Sequence, residues 1–265
     1  MRSVELLSES TARSLEAVVF DLDDTVLDHG ALGEAAYRAL FRLREAGLEL
    51  FACTGRPAAW AEIVARQWPV RGAVAENGAV AWARTDHGLE LLDPVEPSVR
   101  AARRTELEQV TRALRTAFPE LTLADDNGGR RTDVTFDVGE HRTVAPDTVR
   151  AARALAQSLG VRTFVSSVHL HLTLDTHDKA SGFAALSRRL GRSPVTALRR
   201  ALYVGDSGND AAAFAAFGVT VGVANVRPWL GRLTIPPRFV TRSEMGAGFA
   251  EVAAIVARLR LDGRA

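Results

Sequence analysis

Several ordinary ingredients are scarce in this chain. Of 265 residues only one, Cys53, is cysteine, and only two are methionine. A single cysteine excludes an intramolecular disulfide and any multi-cysteine metal site, and it suits a reducing compartment. Net charge is also nearly missing: 33 basic residues face 32 acidic ones, a formal +1. That balance gives no argument for a nucleic-acid or membrane surface. Long apolar runs are missing too. Ala211 to Val226 is broken by Gly218, Thr220 and Gly222, so no transmembrane helix is expected. Residues 1–14 carry Glu5 and Glu9 and no apolar segment, so no secretory signal is expected and the chain reads as cytoplasmic. The scarcest residue is lysine. Among the 33 basic residues Lys179 is the one lysine, all the others being arginine. Such a bias leaves a lysine either by drift or where a guanidinium cannot serve.

What remains is ordinary: 47% hydrophobic and 25% charged residues, enough apolar material for a core. The length suits one large α/β domain or a core with an insert. The run AVVF at 17–20 reads as a buried strand that stops at Asp21. A helical pattern follows over about 32–46, then a strand at 49–53. The turn Thr54-Gly55-Arg56-Pro57 opens a helix through 61–66, and a short strand at 73–75 precedes Glu76-Asn77-Gly78. Strand and helix alternating at this pitch predict a parallel sheet.

After Arg84 the rhythm changes. Segments 89–92, 121–124, 131–138, 161–165 and 168–174 read as strands, with helices over 97–117 and 146–159. Residues 132–138 and 169–174 alternate polar and apolar, which predicts antiparallel strands with one wet face. From Lys179 the first pattern resumes, with helices at 180–190, 209–217 and 247–260 and strands at 201–204 and 219–223. The expected fold is α/β: a Rossmann-like parallel sheet with helices on both faces, over 15–83 and 176–265. An α+β module over 84–175 is inserted into it.

Three of the parallel strands end in polar clusters: Asp21-Leu22-Asp23-Asp24-Thr25, Thr54-Gly55-Arg56, and Gly205-Asp206-Ser207-Gly208-Asn209-Asp210. Ligands of open α/β sheets bind outside the carboxyl ends of the strands. If the three strands are neighbours, crowded carboxylates demand a cation, and Mg²⁺ fits because it takes one or two carboxylates and keeps sites for water and phosphate oxygens. Asp21 and Asp23, two apart where a strand becomes a loop, suit a nucleophile and a proton carrier. A carboxylate attacking phosphorus would give an aspartyl-phosphate.

The set DLDDT, TGR, a lone lysine before a helix, and GDSGND resembles the haloacid dehalogenase superfamily in its phosphatase branch. The insert, the ENGA sequence at Glu76 to Ala79 and the DKASG context of Lys179 resemble its subgroup with an α/β cap of the C2 type (class IIB). That subgroup includes sucrose-phosphate, trehalose-phosphate and mannosyl-3-phosphoglycerate phosphatases. The resemblance implies Asp21 as nucleophile and metal ligand, and Asp23 as general acid/base with its backbone carbonyl on the metal. It implies Thr54 and Lys179 as phosphoryl-binding, with Gly55 and Arg56 beside them and Asn209 orienting Lys179 or the phosphoryl oxygens. Asp206 would ligate Mg²⁺, and Asp210 would stand behind it or bind it through water. A small phosphorylated substrate is implied, with no nucleic acid and no membrane. A phosphosugar mutase, a catalytically silent binding subunit and a nucleotide or pyridoxal-phosphate phosphatase stay open.

Other residues read more plainly. Cys53 is expected to be a small buried residue. His169 and His171 share a strand face; the pair suits a structural or substrate-facing place better than a metal. The segment 125–131 reads as a flexible turn in which Arg130 or Arg131 could grip a second anionic group. Arg100 to Arg104 read as a solvated helix face.

Overall fold

The computed structural model describes residues 1–166 and 168–261. The last four residues of the expected core, 262–265, lie outside them. Nine strands form one sheet in the order Arg2–Ser3, Phe239–Val240, Val219–Gly222, Ala201–Gly205, Ala17–Phe20, Glu49–Cys53, Gly72–Ala75, Val80–Thr85 and Gly88–Leu92. The first seven are parallel, and the last two join antiparallel. Alternate residues of the central strands feed two apolar layers. Val18, Phe20, Leu50 and Ala52 pack with Leu40, Leu43, Val64 and Phe249 of the helices on one face. Val19, Phe51, Cys53 and Tyr203 pack with Phe183, Leu186 and Phe214 on the other. Burial on both sides is why AVVF reads as a continuous apolar run.

Residues 89–92, expected in the insert, instead close the edge of this large sheet. The chain folds back at Asp86-His87, and Gly88, which follows the turn opposite Thr85, takes φ +113°, a backbone that favours glycine.

A second sheet has the order Arg162–Val165, His169–Thr173, Asp133–Asp137, Thr122–Leu123, all antiparallel. Helices Pro97–Ala117 and Pro146–Ser158 cover one face, burying Val134, Phe136, Leu170 and Leu172 with Leu107, Leu114 and Ala152. This is the α+β cap. Its polar face is not wet, as the alternation had predicted: Asp133, Thr135, Asp137 and His171 are all buried. Their hydrogen bonds come from the cap itself: Asp133 accepts from Arg130 and pairs with His171, Thr135 exchanges bonds with Asn127, and Asp137 accepts the amides of Gly139, Glu140 and His141. Segment 125–131 also departs from expectation. Residues Asp125–Gly129 form a 3₁₀ turn whose Asn127 side chain both donates to and accepts from Thr135, so the segment is pinned to the cap sheet. Arg100 is buried rather than solvated, because it bridges Asp93 and Asp175 where the chain passes between the two sheets. Arg103 joins it on Asp175 at 2.5 Å. Among the described residues no helix is long and apolar enough to cross a membrane.

Helix Lys179–Arg189 starts with a capping box in which Asp178 and Ser181 exchange side-chain and backbone bonds. Its first turn lies against Glu76–Gly78. A Cβ on Gly182 would fall 2.5 Å from the Gly78 Cα, and one on Gly78 would fall 2.0 Å from the Asp178 carbonyl oxygen. This backbone contact sets where Lys179 emerges. Gly182→Ala is expected to lower stability by about 1–3 kcal/mol, the usual cost of overpacking. Chemical denaturation of the two proteins measures it, and an unchanged midpoint would mean that the contact relaxes freely.

Candidate active site

The strand order brings the three polar loops together, because Ala17–Phe20 lies between Glu49–Cys53 and Ala201–Gly205. Asp21 follows the first strand and its amide donates to the Val204 carbonyl at 2.9 Å, fixing the loop to the neighbouring strand. Lys179 Nζ, wholly buried, lies 2.8 Å from Asp21 Oδ1 and 2.6 Å from Asp210 Oδ1, and donates to Asn209 Oδ1 at 3.3 Å. Burial alone would lower the lysine's proton affinity; the carboxylates of Asp21 and Asp210 reverse this and raise it. The ammonium is therefore a permanent point charge at the base of the site.

Carboxylate oxygens of Asp21, Asp206 and Asp210 lie within 4.8 Å of one another. Burial, together with the neighbouring carboxylates, pushes Asp21 up to about 7 against the pull of Lys179. Asp206 rises well above its ordinary value through burial and the charges of Asp210 and Asp21. Crowded buried carboxyls of this kind relax when an oxygen-seeking divalent cation joins them, so the donor set fits one. The three do not contribute alike. Asp210 Oδ1 accepts from Lys179 and from Tyr203 Oη at 2.5 Å, and its Oδ2 accepts the amides of Asp206 and Ser207. Its capacity is spent on organising the loop, which suits a place behind the metal. Among the described residues the Asp206 side chain accepts only from Thr25 Oγ1 and Asn225 Nδ2, at 3.3 and 3.1 Å, and keeps room for a ligand.

Asp23 points elsewhere. Its carboxylate takes a forked pair from Arg56, Nε and Nη2, the latter at 2.6 Å, and Arg56 also lies over the Trp60 ring at 4.1 Å. Its side chain is thus outside the carboxylate cluster, and only its carbonyl is left for the metal role that the resemblance implies. Thr54 is buried, and its Oγ1 accepts the Arg56 amide at 3.0 Å, which shapes the turn. Gly55 follows, where a Cβ would fall 3.0 Å from Asn77 Nδ2. Cys53 is buried and burial pushes its thiol far up, so it is no nucleophile.

A cavity of about 270 Å³ opens above these groups, between the sheet ends and the cap. Asp21, Asp23, Asp206 and Asn209 line its floor, while Asp125, Arg130, Glu140, His169 and His171 are among its cap-side walls. The two expected cap arginines do not stand as anticipated. Arg130 lines the cavity, but its side chain is 1% exposed and ion-paired to Asp126 and Asp133, with Nη1 also donating to the Gly55 carbonyl. Arg131 is exposed and lines a separate groove beside Val95 and Pro97. Neither offers an unpaired guanidinium to a second anion in the cavity.

Four contributors were not named from the sequence. Thr25 stood in the first motif. Asn225, which ties Asp206 to the Asp24 carbonyl, and Tyr203 carry no local signal. Glu76 was quoted only as part of ENGA. Its buried carboxylate accepts from Ala58 in the core and from the amides of Arg131 and Thr132 and the Thr132 hydroxyl in the cap. One side chain thus stitches cap to core.

Comparison with known proteins agrees with this architecture. A structure of the Thermoplasma acidophilum protein 0175 superposes with a TM-score of 0.71 at 18% identity, covering 91% of this chain and 98% of that one. The sucrose-phosphatase of Synechocystis sp. PCC6803, solved with sucrose and phosphate, gives 0.64 at 19% identity over 92% and 98%. A subclass IIB sugar phosphatase of the same superfamily gives 0.63 at 15% over 92% and 97%. These likenesses concern the fold. No curated protein matches the sequence. The family description that does match is that of the haloacid dehalogenase-like hydrolases, over residues 15–218. All four motif loops fall in that span, and the chain belongs to the haloacid dehalogenase-like hydrolase family.

Proposed function

We propose that the protein is a Mg²⁺-dependent phosphomonoester hydrolase working through an aspartyl-phosphate on Asp21, with sugar phosphates as substrates. The observation that carries the reading is the buried Asp21 carboxylate, ion-paired at 2.8 Å to the one lysine of the chain, on the floor of a closed-in cavity. Lys179 holds Oδ1 and so orients the other oxygen for attack. An Asp21 oxygen bonds to phosphorus as the bond from phosphorus to the leaving oxygen breaks, and Asp23 delivers a proton to that oxygen. Asp23 then removes a proton from the water that hydrolyses the acyl phosphate and restores Asp21. Lys179, the Thr54 hydroxyl and loop amides neutralise the phosphoryl oxygens. Asp21, Asp206 and the Asp23 carbonyl would hold Mg²⁺, which when bound supplies further positive charge at the phosphoryl group. The Glu76 and Arg130 bonds between cap and core keep bulk water out.

The sugar preference is supported by the activities named for two similar folds, sucrose-phosphatase and sugar phosphatase. The test is phosphate release from a panel of sugar phosphates. It is expected to need Mg²⁺, to stop with a chelator and to return when Mg²⁺ is restored. Full turnover in the chelator would refute the metal requirement. Transfer of the phosphoryl group to a second hydroxyl without free phosphate would make the protein a mutase instead.

A further inference from the structure

The cap side of the cavity contains a histidine whose chemistry is fixed by its neighbours. His171 is 3% exposed, its ring is stacked on Phe164 with centroids 4.4 Å apart, and it lines the cavity that holds Asp21. Nδ1 lies 3.0 Å from Asp133 Oδ2. Burial would raise the Asp133 carboxyl, but the charge of Arg130 and the bond from His171 hold it below its ordinary value. An ionised carboxylate only accepts, so the histidine proton sits on Nδ1. Burial also lowers the proton affinity of His171, despite Asp133, which keeps the ring neutral. Nε2 then carries a lone pair, and among the described residues the ring's hydrogen bond is made by Nδ1 alone. It is a free acceptor on a residue that lines the cavity.

The surroundings have the same bias. Glu140 and Asp125 line the same wall, held by His169 Nε2 at 2.8 Å and His141 Nε2 at 3.2 Å. The cap's arginine there, Arg130, is saturated by Asp126 and Asp133. Among the described residues the wall offers acceptors and no unpaired arginine or lysine.

We infer that His171 is a specificity-determining residue of the cap. Its Nε2 accepts a hydrogen bond from a hydroxyl or ammonium of the leaving group, and the wall around it disfavours leaving groups that carry a second acid. The inference rests on the phosphatase reading above. It goes beyond it by naming the residue and by excluding phosphorylated sugar acids and bisphosphates as preferred substrates. A site built to accept a hydrogen bond disfavours an analogue without the donor, because the acceptor is left unpaired under the bound ligand.

The test compares kcat/KM for glucose 6-phosphate, 6-phosphogluconate and phenyl phosphate with Mg²⁺ present, in wild type, His171→Phe and His171→Gln. Phe keeps the stack on Phe164 and removes the acceptor; the Gln amide oxygen restores one. Wild type is expected to prefer glucose 6-phosphate to both other esters. The ratio of glucose 6-phosphate to phenyl phosphate should fall about tenfold in His171→Phe, mainly through KM, and recover in part in His171→Gln. An unchanged ratio in the Phe variant overturns the inference. So does a wild-type preference for 6-phosphogluconate, a result independent of any variant's folding. If wild type releases phosphate from none of these three nor from any ester of the sugar-phosphate panel, the phosphatase reading falls and this inference with it; release without the stated preferences sinks the inference alone.

Discussion

Asp21→Asn is expected to abolish turnover of every phosphomonoester, with kcat down by about 10⁴-fold or more, as when a covalent nucleophile is removed. The substitution is nearly isosteric. Asn keeps a carbonyl oxygen for Lys179, which also retains Asp210 at 2.6 Å, so the fold should survive. What is lost is the negative oxygen that attacks phosphorus, and no neighbour can replace it. Asp206 belongs to the carboxylate cluster, and Asp23 is turned to Arg56. The measurement pairs phosphate release with thermal unfolding. Inactivity in a protein of near wild-type stability identifies the nucleophile. Wild-type activity in the Asn variant would end the covalent mechanism.

Lys179→Arg carries the second large effect, although it preserves charge. The ammonium is wholly enclosed and bridges two carboxylates, with Nζ 2.8 Å from Asp21 and 2.6 Å from Asp210. A guanidinium is wider, planar and less able to place one charge between two oxygens. It must also fit a space in which the lysine side chain is already wholly buried. Overpacking is expected to cost about 1–3 kcal/mol. Misplacing the charge should lower kcat/KM by at least ~10²-fold, the usual loss on removing one preorganised donor. Lys179→Met should be worse for stability, by roughly 3–5 kcal/mol, because two buried carboxylates lose their cation. Denaturant midpoints and phosphate release separate the two effects. An Arg variant with wild-type kcat/KM would show that the site asks only for a positive charge.

Those results bear on the composition. An arginine-rich chain with one lysine has that lysine in the one enclosed position that needs a compact ammonium. The surface arginines have no such constraint. Arg66, Arg38 and Arg13 each make an i,i+4 pair with a glutamate on an exposed helix face. Such pairs are worth a few tenths of a kcal/mol and tolerate either cation.

Much of the core was legible because its signals are local. AVVF, ELFAC and ALYV are apolar runs that end in polar clusters, and any parallel sheet must bury the runs and expose the ends. Boundaries failed where a short turn decided the matter, as at Asp86-His87, which sends residues 89–92 back onto the large sheet. Polar residues in the cap failed for a different reason. Alternation predicts two unlike faces but not what covers the polar one. The cap strands therefore read as half-wet, while in the fold Asp133 and His171 are buried, held by Arg130 and by each other. Arg100 misled because arginine is usually solvated and its partner Asp175 lies 75 residues away. Arg130 misled although its partners Asp126 and Asp133 are local, because spacing alone does not show that the side chain turns inward to them.

The sequence by itself determined the α/β plan, the cap inserted into it and the four motif loops, because each is encoded in periodicity or in residues close along the chain. Tertiary structure alone decided which carboxylates share a cluster, that Asp23 rests on Arg56, and that Arg130 reaches across to the Gly55 carbonyl. It alone turned His171 into an oriented acceptor. Charge, burial and tautomer depend on distance in space, which residues far apart along the chain acquire only when the sheets pack.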